Sequence, residues 1–397
     1  MASYISSNAN RFYTALESAY GVVPTITAGN QIIAAASRIP ALKLTVQHQH
    51  EVTQRKDKTG SRTFAGLPAG GRRRTTYEVQ TYLTSWEPSS GPAYGPLFQA
   101  ALGAAPLQYS GGIVGSATAA GQVAFTGPHG LIPGQAIASN GDVRFVATIV
   151  DPQTVQLNAP FTVMPGAGAA VGPTVTYTPA TDLPSVSIFD YWDPSNAVQR
   201  LLSGAAVDQM DILLNGDFHE FHFSGVAQDV SDSSSFSTGG PSQLQSFPAE
   251  PQIGAFDYSI VPGNLGQAWL GTSPTQFFTI TGASVQLKNS LDTRMKEFGS
   301  ALPLAIAPGP RTVSAAFNLY GLTDTATAAL YQAARQQSPV TVMFQLGQTP
   351  GQTMAVNLGS VIPQVPEFDD SSNRLQWKFR SARAQGTVNN EVSVAFG

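Results

Sequence analysis

The sequence predicts a mainly β protein with short helices, built as two tandem β units with a small inserted β domain. Three observations predict it. First, one stretch is written twice. Val46-Gln47, Gly60-Ser61, Gly70, Arg72 and Tyr82 recur as Val285-Gln286, Gly299-Ser300, Gly309, Arg311 and Tyr320, equally spaced through the arginine and one residue shorter after it. Each copy reads as strand, polar loop, Gly/Pro turn and second strand, with a helix candidate behind it, and such repetition marks a repeated structural unit. Second, charged residues are only 12% while Gly (38) and Pro (28) abound, the profile of strands and turns rather than long helices. Third, residues 111–178 change texture, to short Gly-, Ala-, Val- and Thr-rich runs.

The elements follow in chain order. Phe12, Leu16 and Tyr20 in the N-terminal arm are four apart and predict one face of a short helix ended by Gly21. From Leu42 to Val52, Leu42, Leu44, Val46, His48, His50 and Val52 alternate with Lys43, Thr45, Gln47, Gln49 and Glu51, so one face of a strand is buried and one wet. Tyr77, Val79 and Leu83 resume the alternation. Pro96 opens a short helix closed by Gly103, proline in the first turn and glycine past the last. Within 111–178, strands are expected at Val143–Val150, Thr154–Leu157 and Thr174–Tyr177. Val207–Leu214 and Phe218–Val226 form a hairpin about Asn215-Gly216-Asp217. Ser231–Gln252, rich in Ser, Gly and Pro, reads as a linker. The second copy runs through Phe277–Leu291, Val313–Tyr320 and a helix from Thr323 to about Gln337, capped by Thr323 or Asp324. Strands at Val340–Leu346, Met354–Leu358, Leu375–Phe379 and Val392–Phe396 complete it. The expected division is 1–110 with 179–235 as a discontinuous first unit, 111–178 as the insert, and 236–397 as the second unit after the linker.

With 397 residues the chain has ample core. It has 0 cysteines, which excludes disulfides and thiolate metal sites. No apolar run is long enough for a membrane helix, and the N-terminus lacks the basic-then-apolar pattern of a signal peptide. The expectation is a protein made in a cytoplasm. Net charge is -4 but uneven. Residues 1–110 carry ten Lys/Arg against five Asp/Glu, 111–178 carry Arg144 against Asp142 and Asp151, and 179–397 carry ten against eighteen. A basic and an acidic surface can steer head-to-tail association.

Catalytic vocabulary is sparse. His48 and His50 share a strand face but lack a third ligand. His219 and His222 face opposite ways at period two. No nucleophile elbow, phosphate loop or dinucleotide glycine pattern is present, and Asp369-Asp370 reads as a solvated turn. Arg55-Lys56-Asp57-Lys58 and Arg72-Arg73-Arg74 are the basic clusters, without the aromatic platform of a nucleic-acid binder. A β-sandwich carbohydrate-active enzyme would need a carboxylate pair in an aromatic cleft, for which Trp86 with Glu87 and Trp192 with Asp190 and Asp193 are the nearest candidates. A β-sandwich adhesin or carbohydrate-binding surface protein is the other alternative. No catalytic residue, cofactor or metal ligand is assigned.

Several segments resemble the tail tube proteins (major tail proteins) of long-tailed, non-contractile phages. Phe12-Tyr13-Thr14-Ala15-Leu16-Glu17-Ser18-Ala19-Tyr20-Gly21 is similar to their opening, and Gly95-Pro96-Leu97-Phe98 through Leu102-Gly103 to their short helix. Ser203-Gly204-Ala205-Ala206-Val207-Asp208-Gln209-Met210 and Thr281-Gly282-Ala283-Ser284-Val285-Gln286 resemble their strand openings. The resemblance implies two tail-tube-like β-sandwich or half-barrel units and a virion protein made in the host bacterium. Neighbouring subunits would close a β-barrel around a lumen, removing exposed edges. Rings would stack into a tube that passes duplex DNA without specific binding, through an electronegative or weakly polar lumen. Further implied partners are a tape measure protein and tail terminator or distal tail proteins; no membrane is involved. The insert, as an immunoglobulin-like or similar small β domain, would sit outside the tube. Two units per chain favour a trimer with pseudo-sixfold symmetry, a true hexamer being the alternative. The loops Glu51–Arg62 and Leu291–Phe298 occupy equivalent places. Their Arg55, Lys56, Asp57, Lys58, Asp292, Arg294, Lys296 and Glu297 are the expected contacts to the adjacent ring.

Overall fold

The computed structural model of the protein describes residues 4–24, 37–51, 57–58, 60–62, 71–87, 91–238, 244–251 and 259–397. These form a mainly β structure with two helices. A first strand set comprises β1 (Arg11–Leu16), β2 (Arg38–Ile39), β3 (Ala41–His50), β4 (Arg73–Tyr82) and α1 (Gly95–Leu102). There follow β5 (Leu107–Tyr109), β6 (Gly112–Ala117), β7 (Gln122–Phe125), β8 (Ala136–Ser139), β9 (Asp142–Asp151), β10 (Thr154–Leu157), β11 (Ala170–Val171) and β12 (Thr174–Tyr177). The first set then resumes with β13 (Val186–Tyr191), β14 (Arg200–Leu214), β15 (Glu220–Ala227) and β16 (Asp229–Asp232). A second set comprises β17 (Gly266–Gly271), β18 (Thr275–Phe277), β19 (Ile280–Lys288), a two-residue ribbon β20 (Asp292–Thr293) and β21 (Ile306–Ala307), β22 (Thr312–Tyr320) and α2 (Thr325–Gln336). It ends with β23 (Val340–Leu346), β24 (Met354–Val361), β25 (Glu367–Asp369), β26 (Gln376–Arg383) and β27 (Ser393–Phe396).

The duplication extends beyond the repeated stretch. In the first set β1 pairs with β2 and β13, β13 with β14, β14 with β16, β3 with β4, β4 with β15, and β15 with β14. In the second, β17 pairs with β18 and β23, β23 with β24, β24 with β27, β19 with β22, β22 with β26, and β26 with β25. These are the same antiparallel pairings in the same chain order. The hairpin registers also agree. Val46 faces Tyr77 and Val285 faces Ala315, and Ala315 is the counterpart of Tyr77 once the single lost residue is allowed for. One difference is instructive. β14 runs for 15 residues, its first part pairing with β16 and its last with β15. The same path in the second set is divided into β24 and β25 by Pro363 and Pro366, which cannot donate to a ladder.

The two sets are joined directly, because β14 pairs with β19. This gives one long run in the order β3-β4-β15-β14-β19-β22-β26-β25. The other sheet of the second set has the order β18-β17-β23-β24-β27-β12-β5. Between the sheets lies the main core. Phe98 of α1 sits with its ring centroid 5.2 Å from Phe221 and Phe223 and 5.3 Å from Phe396, edge-on geometries that aromatic rings favour. α1 can be enclosed because Leu97, Phe98, Ala100, Ala101 and Leu102 are all apolar. In α2, by contrast, one face carries Leu330, Ala333 and Ala334 inward, and Asp324 caps the helix by accepting from the Thr327 N–H at 2.7 Å.

The insert's own sheet has the order β11-β6-β7-β10-β9-β8. Phe145, Ala138 and Val143 pack on Trp269, Met343, Ala355 and Ala395, so the insert covers the outer face of the seven-stranded sheet. Three expectations are corrected. The arm predicted as a helix is strand β1, paired with β13. It is buried on both faces, Phe12 in the main core and Tyr13 in a second cluster with Phe189 and Tyr191, which erases the period-two signal. Thr174–Tyr177, expected within the insert, pairs instead with β27 and sends Val175 and Tyr177 into the main core. The described part of Ser231–Gln252 is fastened down rather than spanning free. Leu244 is buried beside Phe236 and Phe247, and Glu250 accepts from Arg11 at 2.7 Å and from the Tyr13 hydroxyl at 3.0 Å.

Candidate assembly surfaces

The wet face of the long run is continuous. Arg74, Thr76, Glu78 and Gln80 alternate with inward Thr75, Tyr77, Val79 and Thr81 on β4. Gln286 and Lys288 alternate with Val285 and Leu287 on β19. Registers align these outward residues into rows. One runs Lys43, Gln80, His222, Asp211, Gln286, Ser314, Arg383, each opposite the next on neighbouring strands. Another runs Thr45, Glu78, Ser224, Gln209, Lys288, Thr312. Both are polar throughout.

The carboxylates on this face are occupied by neighbours. Asp211 accepts from the side-chain amides of Gln209 and Gln286, each at 2.8 Å. Glu78 accepts from Gln80 at 2.8 Å, Glu220 lies 3.0 Å from His222, and Glu367 accepts from Arg380 at 2.7 Å. Asp369 is bonded to Lys378 and Ser371, which holds its carboxyl well below the usual range. Glu367 and Asp369 are thus neutralised by cations, whereas Asp211 and Glu78 keep their charge and are held by neutral amides.

The two ends of the long run are single-sided. Among the described residues, β3 pairs only with β4 and β25 only with β26. At the β25 end an aromatic group is left uncovered. Phe368 is 56% exposed and stacks on Trp377 at 5.5 Å, with Tyr331 of α2 6.0 Å away. An open edge with exposed apolar side chains is a template for pairing.

The sequence-predicted loop residues divide. Arg55 and Lys56 lie outside the described residues; Asp57 and Lys58 are exposed. In the second loop, Asp292 belongs to β20, Arg294 bonds Glu297 three residues on, and Lys296 is exposed. Phe298, beside them, is 106% exposed, and sequence reading passed over it. The returning limb of this loop lies sideways against the first strand set. The Ala301 carbonyl accepts from the Arg73 N–H at 2.8 Å, and the Pro303 carbonyl from Gln228 at 3.2 Å.

The candidates for chemistry are engaged structurally. His48 lies with its Nε2 3.1 Å from that of His50 and its Nδ1 2.9 Å from the Thr75 hydroxyl. Burial lowers the His219 pKa, and its Nε2 is 2.8 Å from the Leu265 carbonyl. No group of three or more His, Asp or Glu that could hold a metal occurs among the described residues. Trp86 is buried, its indole donating to the Gly397 carbonyl at 3.4 Å. Asp190 is buried against Arg200 at 2.9 Å, and desolvation raises its pKa. No described helix is long and apolar enough to cross a membrane.

No protein-family model and no curated protein matches the chain. Among solved structures it is similar to the SPP1 tail tube, determined by solid-state NMR and cryo EM. The identity is 12%, the match covers 33% of this chain and 81% of that one, and the TM-score is 0.26.

Proposed function

We propose that the protein is the structural subunit of the tail tube of a long-tailed phage. Copies join edge to edge into a ring, rings stack, and genome DNA passes through the lumen. The observation that carries this reading is the β14–β19 pairing. Two equivalent strand sets are already joined side by side in one chain, and among the described residues the outer edges of the pair stay open. Repeating such a head-to-tail contact generates a ring when the rotation closes, and closure abolishes the edges. With two sets per chain, three copies make a pseudo-sixfold ring. The wet face of the long run then lines the lumen and the insert lies outside. An amide- and hydroxyl-rich lining with engaged carboxylates would let a polyanion slide without the phosphate neutralisation that makes binding tight.

Electron microscopy of the purified protein tests this. Tubes or rings with threefold symmetry and six similar lobes are expected; true sixfold symmetry would sink the trimer, and dispersed monomers the ring. A second expectation concerns the first loop. Replacing Arg55, Lys56 and Lys58 together with alanine should impair tube growth while the circular dichroism spectrum of the monomer is unchanged. Normal tube lengths from that variant would remove these residues from the ring-to-ring contact.

A further inference from the structure

The seam inside the chain specifies the seam between chains, residue by residue. Resting on the ring reading above, we propose that β25 of one copy pairs antiparallel with β3 of a second copy, with Phe368 opposite Val46 and Glu367 opposite Gln47. The register follows from equivalences within the fold. Tyr77 and Ala315 hold the same place in the two hairpins, so Thr81 matches Leu319. Phe221 faces Thr81 and Trp377 faces Leu319, so Phe221 matches Trp377. Ile212 faces Phe221 and Phe368 faces Trp377, so Ile212 matches Phe368. Inside the chain Ile212 lies opposite Val285, and Val285 is the second writing of Val46.

Two independent features agree with that register. The first is burial. Ile212 and Val285 are 0% and 1% exposed at the closed seam, whereas Phe368 is 56% exposed and Val46 only half-buried at the open edges. Apolar residues thus stand where the seam would cover them. The second is chemistry on the opposite face. Asp211 accepts from Gln286 across the closed seam at 2.8 Å, and its counterparts Glu367 and Gln47 are again a carboxylate and an amide. A slip of one residue would set Phe368 opposite Thr45 or Gln47, whose side chains lie on the other face, and break both matches. The partner is a second copy because the two edges lie at opposite ends of one run and differ from each other, the arrangement of a heterologous contact.

The chain has no cysteine, so engineered pairs report cleanly. The full chain carrying Val46→Cys and Phe368→Cys is assembled, oxidised mildly and run on a non-reducing gel. Covalent multimers should form at least about tenfold faster than with His48→Cys and Phe368→Cys, because a two-residue diagonal exceeds disulfide reach. Rings that form normally but cross-link no faster through Val46 than through His48 would overturn the register and leave the ring reading intact. Absence of rings from the unmodified protein would overturn both. Should the Phe368→Cys chain not assemble, the pair Gln47→Cys with Glu367→Cys decides: cross-linked multimers support the seam, and their absence from assembled rings rejects it.

Discussion

Replacing Arg144 with alanine is expected to destabilise the protein by about 3–5 kcal/mol, the usual cost of removing one partner from a buried charged group. Arg144 is fully buried where the insert meets the seven-stranded sheet. Its guanidinium donates to the Pro160 and Val143 carbonyls, each at 2.8 Å, and to Gln345 at 3.0 Å and Gln267 at 2.9 Å. It lies 4.9 Å over the Trp269 ring and 3.4 Å from Asp142. Burial lowers its pKa to about 10, still well above neutrality, so it remains a cation there. Alanine would leave the Asp142 carboxylate buried without its cation and deprive the Pro160 and Val143 carbonyls of the guanidinium donor, while the Gln345 and Gln267 oxygens keep the Val143 N–H and the Trp269 indole. Lysine should recover only part, since an ammonium cannot reproduce the planar fork. Urea unfolding monitored by Trp fluorescence reads the change, and limited proteolysis should show the insert released first. A loss below about 1 kcal/mol, the range of exposed ion pairs, would contradict the role assigned to Arg144.

Glu17→Gln should cost on the order of 3 kcal/mol, as expected when charge-assisted hydrogen bonds are lost in a buried site. The Glu17 carboxylate is buried, pairs with no cation among the described residues, and takes four donors. Oε1 accepts from the Ser187 hydroxyl at 2.6 Å and the Gly204 N–H at 2.9 Å; Oε2 accepts from the Ser185 hydroxyl at 2.6 Å and the Gly21 N–H at 2.9 Å. It therefore ties the turn after β1 to β13 and β14. Gly21 and Gly204 are both in the left-handed region, with φ of 76° and 61°, where glycine is favoured. In glutamine, one terminal oxygen becomes an NH2 that meets donors. Alanine should cost more, leaving all four donors unmet. Thermal or urea unfolding unchanged by Glu17→Gln would show that these donors are satisfied elsewhere.

What was legible in the sequence was what local periodicity encodes. The two hairpins, both helices and the Asn215 turn stand where alternation, Pro96 and Gly103, Asp324 and the Asn-Gly-Asp run placed them. The long face was also readable: Lys43, Thr45 and Gln47 announce a wet side. β1 was not legible, because a strand buried on both faces loses alternation, and the four-residue spacing of Phe12, Leu16 and Tyr20 imitates a helix. β12 was missed as part of the larger sheet because sheet membership is decided by a partner, β27, more than two hundred residues away in the chain. Arg144 offered a signal, as the lone basic residue of 111–178, but its partners Gln267 and Gln345 are distant in sequence. Phe368 was hidden by its setting between Pro366 and Asp369-Asp370, which reads as a turn. Its correspondence to Ile212 emerges only when β25 is aligned with the second half of β14.

The β14–β19 pairing also alters the thermodynamics of assembly. In a ring of three such chains, every second junction is made on folding, at an effective concentration set by the chain itself rather than by the bulk. Only the remaining junctions are subject to mass action, and each association spends the translational and rotational freedom of one body that already carries two repeats. Rings would therefore appear at lower protein concentration than from an otherwise identical single-repeat subunit. Partial rings would also come in steps of two repeats, so a closed ring could never contain an odd number of them.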